Sequence, residues 1–239
     1  MDGTPVQSDV SQPPNEEHQH LDSVLRRLDS MLEQLHRVRG PDYEGIDRSE
    51  AQTAEQVAEE VVAKLRESQI TALTTARSDP YFGRLDFAES RRDDVDCLYI
   101  GKCGIEDTRT GDRMVVDWRA PIASMFYSFS GQETASYKSP DGTVEGRVFL
   151  KRNIVVRDNS LQRVVDSYVA GQDNLNVTDE FLLYRLSDNK DSRLRDIVST
   201  IQVEQDRIIR ADRALAAFIQ GVAGSGKTTV ALHRIAYLL

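Results

Sequence analysis

Gly221-Val222-Ala223-Gly224-Ser225-Gly226-Lys227-Thr228 constrains this chain more than any other feature. It spells G-x-x-x-x-G-K-[ST], a loop that belongs between a strand and a helix. The apolar run Leu215 to Gln220 before it predicts a buried parallel strand, and Thr228 to Leu239 after it predicts an amphipathic helix. The glycines let backbone N–H groups curl around a phosphate without Cβ clash. The helix N-terminus adds the positive end of a dipole. Lys227 can reach β- and γ-phosphates as a point charge, and the Thr228 hydroxyl can ligate Mg²⁺. Gly221, Gly224, Ser225, Gly226, Lys227, Thr228 and Thr229 are therefore candidate contacts to ATP and Mg²⁺, with Thr228 the metal ligand. The competing reading, a chance Gly-rich turn, does not account for the strand–loop–helix context.

Upstream stands Thr200-Ile201-Gln202-Val203-Glu204-Gln205. A glutamine amide can pair with both the N6 donor and the N7 acceptor of adenine. A lone helical Gln carries no message, but at this distance from the loop Gln205 is a candidate adenine contact.

The first third of the chain has a different character. Leu21, Leu25, Leu28, Leu32 and Leu35 follow heptad spacing from Asn15 onward, and Gly40-Pro41 stops the helix. A second run from about Ser49 to Arg77 has the seam Ala54, Ala58, Val61, Leu65, Ser68 and Ala72. Two such helices read as an antiparallel coiled-coil hairpin at 15–78, either a projecting arm or two members of a bundle. Residues 1–14 read as a disordered tail. His18 and His20 lack Cys or carboxylate support, so they read as a solvated helix start rather than a metal site. Residues 1–78 hold 15 acidic and 8 basic residues, net −7, out of −9 for the 239-residue chain. That charge argues against direct binding of nucleic acid by the arm. The acids Asp42, Glu44, Asp47 and Glu50 fall at the hairpin tip, where they read as solvated turn residues.

Residues 79–175 switch to short β-rich runs punctuated by glycine: Cys97–Ile100, Met114–Asp117, Met125–Phe129 and Arg147–Ile154. Asp141-Gly142 and Thr110-Gly111 mark turns, so a small antiparallel β module is expected. No His lies between His36 and His233, which excludes a Ser-His-Asp set here. Trp118, the only Trp, reads as a core plug beside an Asp117–Arg119 pair, or else as a protein-contact anchor. Helix is expected again from Asp179 to Arg213. Cys97 and Cys103 form neither a disulfide framework nor a four-ligand zinc site, and no apolar run reaches the ~20 residues a membrane helix needs. A cytoplasmic chain without membrane contact is expected. The fold class is α+β leading into α/β.

From Thr200-Ile201-Gln202 through the loop to Ala231-Leu232-His233-Arg234-Ile235-Ala236-Tyr237-Leu238-Leu239, the sequence resembles the first motor segment of the HelD family. These are UvrD/Rep-like superfamily 1 proteins that bind bacterial RNA polymerase. Tyr81-Phe82-Gly83-Arg84-Leu85-Asp86-Phe87, Tyr99-Ile100-Gly101 and Val115-Val116-Asp117-Trp118-Arg119-Ala120-Pro121 carry the same resemblance, which covers about residues 15–239. It implies an arm that enters the polymerase secondary channel, release of stalled polymerase, and ATP binding and hydrolysis that reset the factor. It also implies that Gln205 reads adenine, Lys227 holds phosphate and Thr228 holds Mg²⁺. Thr229 stands where many UvrD-like proteins carry Arg. The two alternatives are a UvrD-type ATP-dependent DNA helicase and a non-enzymatic polymerase-docking fragment. Residues 176–239 are expected to be the truncated start of a RecA-like motor domain. The chain stops eleven residues after Thr228, before a Walker B acid, a second lobe or an arginine finger, so hydrolysis by this polypeptide alone is not expected.

Overall fold

The computed structural model describes residues 14–37, 52–92, 94–107, 110–131, 134–172, 198–214 and 218–239. The expected tail, the hairpin tip with its four acids, and most of the helix expected from Asp179 lie outside these residues.

Helix α1 spans Asn15–Arg37. Glu16 and Glu17 occupy its first turn and His36 and Arg37 its last, complementing the helix dipole at both ends. Leu21, Val24 and Leu28 are buried and pack with Ala76, Tyr81, Tyr99, Ile105, Val115, Ile154 and Val156. The first half of α1 thus lies on the sheet. Helix α2 spans Gln52–Ser78. It meets α1 where Arg77 Nε donates to Asp29 Oδ1 at 2.6 Å and where Arg66 donates to the Leu35 carbonyl. Later residues of α1 therefore face earlier residues of α2.

The inward side of α2 differs from the expected seam. Ile70 and Leu73 are half-buried and Ala76 is buried, whereas Val61, Leu65, Ser68 and Ala72 are exposed. The reason is that α1 turns Leu21, Val24 and Leu28 onto the sheet. Its flank meets α2 through polar groups and the residues nearest the sheet. Val57, Val61, Val62 and Leu65 are each at least 50% exposed.

Among the described residues seven strands follow: β1 Gly83–Glu89, β2 Asp96–Gly101, β3 Ile105–Glu106, β4 Arg113–Asp117, β5 Thr134–Ser139, β6 Gly142–Arg157 and β7 Ser160–Val169. The order is β3-β4-β2-β1-β6-β5, with β7 also paired to β6. The 16-residue β6 is the spine, antiparallel to β1, β5 and β7. The module is not purely antiparallel, because β2 and β4 run parallel with Ile100 opposite Val116. The chain passes β4's position, forms the edge strand β3, and doubles back, so β4 enters beside β2 in the same direction.

Turn chemistry sets the registers. Ser139 pairs with Gly142 across Pro140-Asp141, and Gly142 has φ +132°. Asp158 and Asn159 join β6 to β7 with φ +47° and +63°, values that short polar side chains tolerate better than most.

One expected strand is a helix. After a 3₁₀ turn, Pro121–Ala123, residues Ser124–Ser128 form helix α3. Pro121 favours a helical start, and the three consecutive apolar residues Met125, Phe126 and Tyr127 carry no decisive period. Met125, Phe126 and Tyr127 are all buried.

The larger core joins Leu85, Phe87, Ile100, Val116, Trp118, Phe126 and Val148 to Val198, Ile201, Ile209 and Val230. Residues from 198 onward therefore share a core with the sheet. Trp118 is 4% exposed, and Asp117 accepts from Arg119 at 2.9 and 2.8 Å. The plug reading of Trp118 holds. No described helix is long and apolar enough to cross a membrane.

Candidate functional site

Helix α4, Val203–Ile209, and helix α5, Lys227–Leu238, carry the residues of the predicted site. Gly226 caps α5 in the left-handed conformation with φ +77°, and Gly224 has φ +81°. Both conformations exclude most side chains, which is why the loop places glycine there. Gly221 is close to the loop's serine: a Cβ there would sit 2.7 Å from Ser225 Oγ, which the hydroxyl can relieve by turning. Ser225 N–H donates to the Val222 carbonyl at 3.3 Å and closes the loop's turn.

Lys227 Nζ donates to the carbonyls of Gly221 at 2.9 Å and Val222 at 2.6 Å. The ammonium is thus drawn across the loop, with a third donor left for an anion. Thr228 is exposed at the first turn of α5, and Thr229 is half-buried. The Thr229 carbonyl lies 2.8 Å from His233 Nδ1, so Thr229 supports the helix.

Gln205 lies against this loop. Its Nε2 is 3.4 Å from where a Cβ on Gly226 would stand. Its Oε1 accepts the Gln202 N–H at 3.1 Å, the reach-back half of a capping box. That bond fixes the carboxamide, and the oxygen keeps a second lone pair for another donor. The structure therefore brings Gln205, Gly226 and Lys227 together. A carboxamide, a glycine loop and an ammonium on adjoining helix N-termini form an arrangement able to hold a base at one end and phosphates at the other.

The apolar run before the loop behaves differently from expectation. Phe218, Ile219 and Gln220 are not in a strand, and Phe218 is 91% exposed. A strand needs a ladder partner, and no described strand pairs with these residues. Residues 215–217 lie outside the described set.

Three arginines to which the sequence reading gave no role in this site tie it to the sheet. Arg234, on α5, is buried and donates to the carbonyls of Ile208, Ile209, Ala211 and Asp212 at 2.9 to 3.1 Å. Ile208 and Ile209 end α4, and Ala211 and Asp212 belong to the turn just after it. Arg210 donates to Asp206 at 2.8 Å and to the Trp118 carbonyl at 2.5 Å. Burial raises the Asp206 pKa although Arg210 opposes it. Arg119 reaches the Ala236 carbonyl at 3.5 Å. The one signal in sequence was Arg234 itself: it continues the inward stripe of Val230 and Tyr237, where an apolar residue is expected.

A second polar cluster joins α1 to the sheet. Glu17, fully buried, accepts from Arg84 at 2.9 Å and Arg152 at 2.7 Å. Each arginine also grips its own carboxylate, Asp86 for Arg84 and Asp166 for Arg152. His20 stacks on Tyr99 at 3.5 Å, and burial lowers its pKa to about 4. The expected solvated histidine is thus packed, while His18 is exposed. Among the described residues no group of His, Cys, Asp and Glu could hold a metal ion by itself.

Residues 14–180 match the family model described as DNA helicase IV HelD, N-terminal domain. No curated protein matches the chain.

Proposed function

The chain belongs to the family of the DNA helicase IV HelD N-terminal domain, and from that premise we propose that it binds Mg²⁺-ATP at residues 221–228 and docks on bacterial RNA polymerase. The observation that carries the nucleotide half is the Gln205 carboxamide held against Gly226, beside a loop whose glycines at 224 and 226 adopt positive φ. Lys227 holds the phosphates, Thr228 the Mg²⁺, and Gln205 the adenine. Bound Mg²⁺-ATP supplies the energy by which such a factor leaves or resets the polymerase.

In this reading residues 15–78 form a helical arm, 79–175 a β module and 176–239 the start of a RecA-like motor lobe. The exposed stretch of α2, with Val57, Val61, Val62 and Leu65, supports an arm that meets a partner rather than a bundle interior. The acidic charge of the first 78 residues suits a basic protein channel better than DNA. Purified full chain is incubated with core RNA polymerase and passed over a sizing column. Co-elution supports the docking half, and separate elution at micromolar concentrations removes it.

A second reading is a DNA helicase of UvrD type, favoured by the description of the matching family. It predicts that single-stranded DNA tightens nucleotide binding by the chain, which the polymerase reading does not require.

A further inference from the structure

We infer that Arg234 is a positioning residue for nucleotide selectivity: it holds the adenine-reading helix α4 in register with the phosphate loop. The inference rests on the nucleotide reading above. Base and phosphates would be held by two separate helices, so the distance between the helices decides whether both ends of one nucleotide can be met.

Two polar contacts fix the register within the apolar core that Ile208 and Ile209 share with Val230 and Tyr237. At one end Gln205 lies against Gly226, the residue before α5 begins. At the other end Arg234, two turns into α5, gathers the last two carbonyls of α4, Ile208 and Ile209, and those of Ala211 and Asp212 in the turn that follows. The last carbonyls of a helix have no partner within it, and a cation there meets both their lone pairs and the negative end of the dipole. A guanidinium can serve several carbonyls at once because its donors form a rigid fork; an ammonium is more compact and cannot span the same four. The side chain is 9% exposed, so water is not a ready substitute. Neighbouring groups tie the helices elsewhere: Arg210 faces the loop at 118–120 and lies 5.4 Å from the Tyr237 ring, and Arg119 reaches the far end of α5 at Ala236; neither side chain bonds the carbonyls that Arg234 gathers.

Arg234 touches neither the loop nor Gln205. Its loss unties α5 from residues 208–212, which stay on the sheet through Arg210 and Ile209, so the register of Gln205 against the loop loosens while Gly221 to Thr228 and the α5 N-terminus stay in place. Phosphate binding survives and base discrimination goes. A merely structural role predicts that both fall together.

The test uses the full chain, its Arg234→Met variant and its Arg234→Lys variant. Binding of ATP, GTP and inorganic tripolyphosphate, each with Mg²⁺, is measured by calorimetry. Fluorescence of Trp118, whose ring meets His233 at 5.9 Å, reports whether α5 stays packed. Wild type should prefer ATP over GTP by about tenfold or more, the discrimination typical of one good bidentate pair. Arg234→Met should bring that ratio to about one while tripolyphosphate affinity stays within about threefold of wild type, and Arg234→Lys should fall between. Retention of the ATP preference in Arg234→Met overturns the inference. Loss of tripolyphosphate binding in both variants also overturns it, because the residue is then structural. If wild type binds neither ATP nor tripolyphosphate, the nucleotide reading itself fails.

Discussion

Replacing Glu17 by Gln should loosen the whole N-terminal helix from the sheet. Glu17 is 0% exposed and its Oε1 receives Arg84 and Arg152 at 2.9 and 2.7 Å. The carboxamide keeps the size and one acceptor but removes the anion between two guanidinium groups. Breaking a buried pair by removing one partner costs about 3–5 kcal/mol when the other charge is stranded. Here neither arginine is stranded: Arg84 keeps Asp86 at 2.7 and 2.9 Å, and Arg152 keeps Asp166 at 2.5 and 3.0 Å. Glu16, 3.1 Å from both, offers partial replacement. Its own pKa shows the same field: burial would raise it, yet Arg84 and Arg152 hold it below the ordinary value. The expected loss is therefore at the low end, about 3 kcal/mol, a large share of a typical domain's stability. Urea unfolding followed by circular dichroism should show the midpoint fall by about 1–2 M at an ordinary slope. Asp29→Asn is the control, because its pair with Arg77 is half exposed and should contribute under about 1 kcal/mol. A Glu17→Gln protein within about 0.5 kcal/mol of wild type would refute the view that this cluster anchors α1.

Three further outcomes follow from the same geometry. His20 has a folded pKa near 4 against an ordinary 6.5, mainly from burial, so the unfolded chain binds the proton first. Its contribution is complete above pH 6.5 and is lost as pH falls toward 4, by up to about 3 kcal/mol, and His20→Phe should flatten that slope in pH-dependent melts. Gly146→Ala should destabilise by about 2 kcal/mol or more in urea titration, because its Cβ would stand 2.1 Å from the Ala88 carbonyl and 2.4 Å from the Phe87 ring. Gly226→Ala should cost about 1–2 kcal/mol at φ +77° and weaken ATP binding measured by calorimetry, since relief of the strain moves the α5 N-terminus.

The parts legible in sequence were those set by short-range chemistry. The glycine loop, the Gln205 spacing and the start of α1 at Asn15 followed from residues whose backbone needs are local. The parts missed were set by tertiary partners. The α2 seam shifted because α1 gave its leucines to the sheet, a choice visible only once β1, β2 and β6 are assembled. Met125–Ser128 of the expected strand became helix because burial of Met125, Phe126 and Tyr127 together leaves no period to read. The run ending at Gln220 did not become strand because no described strand lies beside it. Arg84, Arg152 and Glu17 are 67 to 135 residues apart in pairing, so no local pattern announces them.

If residues 221–228 form a working nucleotide site, calorimetric titration of Mg²⁺-ATP into the full chain and into Lys227→Ala reads it out. Wild type should bind saturably and the variant at least tenfold more weakly, because the ammonium drawn across the loop to the Gly221 and Val222 carbonyls is lost. Equal affinities, or no binding by either, would contradict that reading.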